Sequence, residues 1–162
     1  MSKTKLTESQ FSALVKITQN TLAELKFERP QYRTNEITFT KEFVVPQIEK
    51  MLVDIKEKRL NLRGDGIQPV RPLFKSRFSI KPDIEIEIFG ERLIAFEVKI
   101  LRKNDPTGSL TKAIGQGLLY RAWGYKAAFV LIIDSNKNPK AMVPKLKNKI
   151  SDLVDNLFVY IY

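Results

Sequence analysis

The sequence predicts a mixed α/β domain in which a β-sheet is flanked by helices. Residues 93–101 and 127–133 are largely apolar, as buried strands are, and residues 82–89 alternate acidic with apolar side chains. Strands joined first by a tight turn and then by a helical crossover are typical of a mixed sheet. The 162 residues fit one compact domain, with residues 1–36 as a helical extension and residues 37–162 as its core.

The amino-terminal part is predicted to be helical. Apolar residues recur at helical spacing over residues 7–26, which indicates a first helix. A second helix is expected to begin near Thr38 or Thr40 and to run to about Leu60. The glycine pair in Gly64-Asp65-Gly66 then predicts a turn that ends this region.

The central strands are expected to form a hairpin. Residues 67–70 and 73–80 are read as extended segments before it. In the alternating strand, Asp83, Glu85 and Glu87 share one face, and we expect Glu85 and Glu87 to face solvent there. The chain then turns at Gly90 into the apolar strand.

The carboxy-terminal part is predicted to alternate helices with strands. A helix is expected over residues 109–125, before the apolar strand at 127–133. A helix at 146–157 and a terminal strand at 158–162 complete the chain. No apolar run approaches the roughly 20 residues that span a bilayer, so we expect a cytoplasmic protein without membrane contact.

The amino-acid composition limits the kinds of catalytic and metal site that the chain can form. The chain has neither cysteine nor histidine, which excludes disulfides, cysteine nucleophiles, histidine-based triads and thiolate or imidazole metal sites. Any metal must be held by oxygen ligands, which favours a hard cation such as magnesium or manganese. The formal charge of +10 makes nucleic acid a plausible partner, although a basic surface also serves solubility.

One group of charged residues could supply the oxygen ligands that such a cation needs. Glu97 and Lys99 project to the same face of the apolar strand, and Asp83 begins the strand before it. Charged residues are costly in such a strand unless they are paired or bound to metal. Asp83, Glu97 and the backbone carbonyl of Val98 are therefore candidate cation ligands. A structural ion pair at a strand end is the alternative.

These residues resemble a known pattern. Pro82-Asp83 followed by Glu97-Val98-Lys99 after a hairpin resembles the PD-(D/E)xK nuclease superfamily, which includes restriction endonucleases, Holliday-junction resolvases and RecB-like nucleases. Gln116 and Tyr120 resemble the Gln-x-x-x-Tyr element of the RecB-like members. Glu42 occupies the position of an additional acid in the helix before the sheet.

The resemblance implies a restriction endonuclease-like sheet and a Mg²⁺- or Mn²⁺-dependent deoxyribonuclease. Asp83 and Glu97 would bind the metal, Lys99 would assist attack by water, and the 3′ oxygen would depart. Glu42 and Gln116 would support the site. Each also has a simpler interpretation, Glu42 as an exposed acid at a helix start and Gln116 as a helix-face residue.

DNA contacts are expected from four side chains around the site: Lys103, Lys112, Arg121 and Tyr120. The alternative is a solvated basic surface for the three cations and a core position for Tyr120. The sequence leaves open whether the cut is endonucleolytic or exonucleolytic, and whether the chain forms a homodimer. It also leaves open whether the substrate is duplex, single-stranded or branched DNA, such as a junction, or RNA. A nuclease fold that binds DNA without cutting it, and an assembly protein using its first helix, are the competing functions.

Overall fold

In the part of the chain that the structure describes, a five-stranded sheet carries helices on both faces. The computed structural model describes residues 5–26, 35–55, 57–73, 80–101, 104–134, 149–150 and 152–162. None of the helices in these ranges is long and apolar enough to cross a membrane. In chain order the elements are α1 (Glu8–Glu24), α2 (Glu36–Phe39), a π-helical turn (Thr40–Val44), α3 (Val45–Ile55), β1 (Leu60–Gly64), β2 (Ile84–Ile88), β3 (Glu91–Ile100), α4 (Pro106–Ala122), β4 (Ala127–Ile133) and β5 (Leu157–Ile161).

The sheet is mixed, and its strands lie side by side in chain order. Strands β1, β2 and β3 run antiparallel, whereas β3, β4 and β5 run parallel. The antiparallel pair β2–β3 needs only the two-residue turn Phe89-Gly90, while the parallel pair β3–β4 needs α4 as a crossover. The predicted α/β architecture with a mixed sheet between helices is confirmed.

Both faces of the sheet are buried. On one face Phe96 and Phe129 stack with ring centroids 5.4 Å apart, beneath α1 and α3. Phe11 of α1 belongs to this same core, so the amino-terminal helix packs with the sheet. On the other face Ala95 and Val130 pack beneath α4. Burial on both sides explains why β4 is apolar throughout.

Helix α4 lies very close to the sheet at Gly117. A Cβ atom at this position would approach Val130 Cγ2 to 2.7 Å and Leu157 Cδ1 to 2.9 Å. Two positions earlier on the same helix, a Cβ at Gly115 would meet no atom within 4 Å. The close approach at Gly117 sets the height of α4 above β4 and β5, and therefore helps to set the positions of the side chains that α4 directs towards the sheet.

The second helical region differs from the sequence prediction at both ends. Asn35 caps its start, since its side chain accepts a hydrogen bond of 2.8 Å from the backbone N–H of Thr38. The helix therefore begins at Glu36, earlier than expected, and continues through the π-helical turn into α3. It ends at Ile55 rather than near residue 60, where β1 begins instead.

The strands and helices from β2 onward were predicted more closely. Strands β2, β3, β4 and β5 and helix α4 all occur near their expected positions. Residues 67–70 form no strand. The extended segment expected at 73–80 and the helix expected at 146–157 lie partly outside the described residues.

The expectation that Glu85 and Glu87 face solvent is wrong. Their exposed fractions are 0% and 3%, because Arg63, Arg71 and Tyr125 pack against them. Glu87 accepts hydrogen bonds of 2.9 Å from Arg63 and 2.7 Å from Arg71. Glu85 lies 3.7 Å from Arg63 Nε and accepts a hydrogen bond from the Tyr125 hydroxyl. Arginines and a tyrosine thus compensate the burial of two carboxylates.

Candidate active site

The candidate site lies where β3 continues beyond the first residue of β2. Asp83 N donates to Phe96 O at 3.0 Å in the last backbone bond between the two segments. Farther along β3, the Val98 amide donates to Asp83 Oδ2 at 2.7 Å and the Ile100 amide donates to Glu36 Oε2 at 3.2 Å. Two carboxylates therefore take the positions that the acceptors of a longer β2 would occupy.

The same geometry directs the Val98 carbonyl into this gap. Along a strand, the N–H and C=O of one residue point to the same side, and the next residue points to the other. Because Phe96 O and the amides of Val98 and Ile100 all face the β2 side, the Val98 carbonyl faces that side too. It lies between the amides held by Asp83 and Glu36, which are roughly 6–7 Å apart by strand rise.

Glu36 is the acid that the helix before the sheet contributes. Its carboxylate forms an ion pair with the Lys99 ammonium in addition to accepting the Ile100 amide. Glu42, which the sequence suggested for this role, lies exposed in the π-helical turn and is not the helix residue that contacts Lys99. The correction follows from the earlier helix start, which places the first-turn acid at the sheet.

Glu97 lies under α4 and is only 3% exposed. The Tyr120 hydroxyl is 2.6 Å from Glu97 Oε2 and 3.0 Å from the Lys81 carbonyl oxygen. A hydroxyl has one proton to donate, so it cannot fully satisfy both acceptors at once. When Glu97 is protonated, it can donate to the Tyr120 oxygen while Tyr120 donates to Lys81. This pair thus has a hydrogen-bonded arrangement for either protonation state of Glu97.

The pKa values of the Asp83 and Glu97 carboxyl groups are raised because their burial is not fully compensated by hydrogen bonds or positive charge. Burial raises the pKa of Asp83 to about 6, with repulsion from Glu36 and Asp65 in the same direction, while the Val98 amide opposes the shift. Burial and the charge of Asp83 together raise the pKa of Glu97 to about 8. A nearby cation would favour the ionised form of each group and relieve this cost.

The available oxygen donors suit a hard cation. Asp83 and Glu97 each have one carboxylate oxygen beyond those in the bonds above, and the Val98 carbonyl faces the same gap. Gln116 Oε1 is buried without a hydrogen-bond partner on the helix above. Among the described residues no three acidic side chains converge closely enough to form a metal site by themselves. A cation here would need the backbone carbonyl or water as further ligands.

The residues expected to contact DNA fall into different places. Lys112 is exposed on α4 and lines a cleft of about 360 Å³ with Lys99 and Ser109. Lys103 lies outside the described residues. The expectation that Tyr120 contacts DNA is wrong, because its side chain has no exposed surface and its hydroxyl serves Glu97.

Arg121 lies at the other end of the sheet. Its Nε donates to the Asp155 carbonyl at 2.9 Å, and its Nη1 donates to the Tyr125 carbonyl. This end is where β4 begins opposite Ile94, roughly 16 Å along β3 from Lys99 by strand rise. These bonds give Arg121 a structural role after α4, and it does not flank the candidate site as expected.

The structure therefore brings together Asp83, Glu97, Val98 and Lys99 from adjoining strands, as the sequence suggested, and adds Glu36. Asn35 followed by an acid is a recognisable helix-start signal, and reading it would have identified Glu36. The chain matches no known family model, no curated protein and no solved structure.

Proposed function

We propose that this chain is a Mg²⁺- or Mn²⁺-dependent deoxyribonuclease of the PD-(D/E)xK type with a restriction endonuclease-like fold. The observation that carries the proposal is the grouping of two carboxyl groups of raised pKa, the half-buried Asp83 and the buried Glu97, with Lys99 at one open edge of the sheet. A purely structural ion pair would neutralise its acid, but here Lys99 is paired with Glu36, and among the residues that the structure describes no basic side chain forms an ion pair with Asp83 or Glu97. The α/β architecture, with a hairpin followed by a helical crossover, agrees with the proposed fold.

The residues of this edge would divide the work of phosphodiester hydrolysis. Asp83, Glu97 and the Val98 carbonyl would hold the cation, with Glu36 beside them. When bound, the cation would neutralise charge on the scissile phosphate and lower the pKa of a water molecule. The Lys99 ammonium, only 12% exposed and oriented by Glu36, would align the attacking water and stabilise negative charge as it develops.

Tyr120 would act as a positioning residue. Its hydroxyl holds Glu97 Oε2, which leaves the other carboxylate oxygen to face the cation. Burial raises the pKa of Tyr120 well above its usual range, so the hydroxyl keeps its proton and remains a donor. Gln116, one turn earlier on α4, interacts with the same hydroxyl.

The test is cleavage of labelled DNA in Mg²⁺, Mn²⁺ or EDTA. The substrates would be linear duplex, single strand, four-way junction and supercoiled circle. Lys99→Ala should abolish metal-dependent cutting, and Glu36→Gln should reduce it strongly. Lys16→Ala removes one exposed positive charge on α1 and should cut normally, as should Glu42→Gln.

The pattern of products would also name the substrate class. Cutting that survives Lys99→Ala, or that proceeds equally in EDTA, would contradict the proposed site. Binding of DNA by the wild-type protein without cutting of any substrate would replace the nuclease with a DNA-binding module.

A further inference from the structure

The turn between β2 and β3 holds an aromatic residue in a strained conformation. Ile88 pairs with Glu91, which leaves Phe89 and Gly90 as a two-residue loop with φ angles of 49° and 81°. Such turns favour asparagine, aspartate or glycine at the first position, because a Cβ in the left-handed region costs roughly 1–2 kcal/mol. Phe89 is nevertheless 45% exposed, so burial of its ring does not explain its presence.

A second exposed aromatic residue lies at the same edge of the sheet. Helix α4 starts near the end of β3 and returns to the edge where β3 and β4 begin, since the Lys126 amide donates to Leu93 O at 2.9 Å. Trp123 caps the end of α4 at this edge and is 47% exposed. We call Phe89 and Trp123 the aromatic edge. Phe89 is roughly 20 Å along β2 from Asp83 by strand rise, so the candidate active site lies at the opposite edge.

Four basic side chains, Lys5, Arg71, Arg92 and Lys126, lie near the aromatic edge, and two of them are paired with the acids Glu87 and Glu91. A cleft of about 390 Å³ beside the Phe89 turn is lined by Lys5 and by Glu91, whose carboxylate is paired with Lys126 at 3.3 Å. Arg71 is 46% exposed in its side chain and donates to Gly90 O at 3.1 Å. Arg92 lies 5.5 Å from the Tyr125 ring centroid, next to the end of α4. Single rings among cations differ from the contiguous apolar patch that a protein partner would need.

We propose that the aromatic edge binds single-stranded DNA by stacking unpaired bases on Phe89 and Trp123, while the neighbouring cations contact the phosphates. Stacking on exposed rings beside a basic groove is how single strands are held without sequence readout. Bases within a duplex stack on one another and do not offer their faces in this way. The proposal rests on the proposed nuclease function, and it implies a substrate with an unpaired segment roughly 20 Å from the site of cutting.

Trp123 provides a direct signal, because it is the only tryptophan in the chain. Its fluorescence would be titrated in EDTA at low salt with an oligothymidylate of about 20 nucleotides, longer than the roughly 4–16 nucleotides that one such surface covers. We expect saturable quenching by the single strand and much smaller quenching by a blunt duplex of the same length. Phe89→Asn should weaken single-strand affinity at least about five-fold, the effect of one lost stacking contact.

The substitutions separate binding from folding. Asparagine suits a left-handed turn, so Phe89→Asn should unfold at a temperature no lower than the wild-type protein. Phe89→Tyr keeps the ring and should keep the affinity. The stacking proposal is overturned if the single strand does not quench Trp123, if duplex quenches it equally, or if Phe89→Asn binds as tightly as wild type.

A catalytic variant separates the two proposals. Lys99→Ala should lose cutting and still show quenching by the single strand, since Lys99 lies at the opposite edge. If the wild-type protein cuts no DNA but is quenched, the aromatic edge stands and the nuclease proposal fails. If the protein cuts DNA without quenching, the nuclease stands and the aromatic edge fails.

Discussion

Replacing Glu97 with glutamine should stabilise the protein when no metal is present, and increasingly so as the pH rises. The pKa of Glu97 is about 8 in the folded protein, against an ordinary value of 4.5. The folded state therefore binds more protons than the unfolded state between these two pH values, and the free energy of unfolding falls as the pH rises through this window. Keeping Glu97 protonated costs about 1 kcal/mol at pH 5 and about 3 kcal/mol at pH 7.

Glutamine has no proton to lose in this range, and its amide oxygen can still accept the Tyr120 hydroxyl. The Glu97→Gln variant should therefore gain about 2 kcal/mol over the wild-type protein between pH 5 and pH 7. Urea unfolding in EDTA at several pH values measures this difference. A constant difference across the window, or a loss of relative stability towards pH 7, would refute the reasoning.

Glu85→Gln is the matched control for this experiment. Glu85 is also buried and also accepts a tyrosine hydroxyl, but Arg63 lies 3.7 Å away. Removing its charge leaves the arginine less well compensated, so this variant should lose more than about 1 kcal/mol of stability. Stabilisation by both substitutions would indicate a general benefit of neutral side chains rather than an effect specific to Glu97.

Three further results are expected. Mn²⁺ should raise the melting temperature of the wild-type protein at pH 7, because the ion binds the folded state, but it should not raise that of Asp83→Asn. Scanning fluorimetry measures both shifts, and equal shifts would place the ion elsewhere. Tyr120→Phe should lower stability by about 1–3 kcal/mol in urea unfolding. Because the Tyr120 hydrogen bond lowers the pKa of Glu97 in the wild-type protein, its loss should raise that pKa and move the onset of metal-dependent cutting to higher pH. An unchanged pH profile would contradict the positioning role of Tyr120. Gly117→Ala should be less stable than Gly115→Ala by about 1–3 kcal/mol, since only the first forces α4 away from the sheet; equal stabilities would contradict this packing.

The strands and the core of the candidate site could be predicted because their signals are local. Apolar runs and alternation identify β2, β3 and β4, and the two-residue spacing of Glu97 and Lys99 places both on one face. The short turn between β2 and β3 then brings Asp83 beside them. In each case the residues that decide the geometry are neighbours in the sequence or in a hairpin.

The prediction for Glu85 and Glu87 failed because residues far away in the sequence determine their environment. Glu85 and Glu87 look solvent-facing by alternation, and their partners Arg63, Arg71 and Tyr125 lie 16–40 positions away. No local pattern reveals such pairing.

Glu42 rather than Glu36 was expected to be the acid that the helix contributes to the site. This case is different, because the Asn35 cap that places Glu36 in the first turn is a local signal in the sequence. Starting the helix too late moved the expected acid farther along it, and the π-helical turn at Thr40–Val44 also alters which faces point to the sheet.

The part of β3 that extends beyond β2 affects how readily a strand of another chain could pair with this sheet. A strand end with free amides is a template for pairing with another chain. Here Asp83 and Glu36 occupy the Val98 and Ile100 amides with side chains that carry negative charge, so an incoming strand finds neither a free donor nor a neutral surface. Asp83 and Glu36 would thus also disfavour pairing with another strand, and substitutions that remove them would expose two strand amides as well as alter the chemistry.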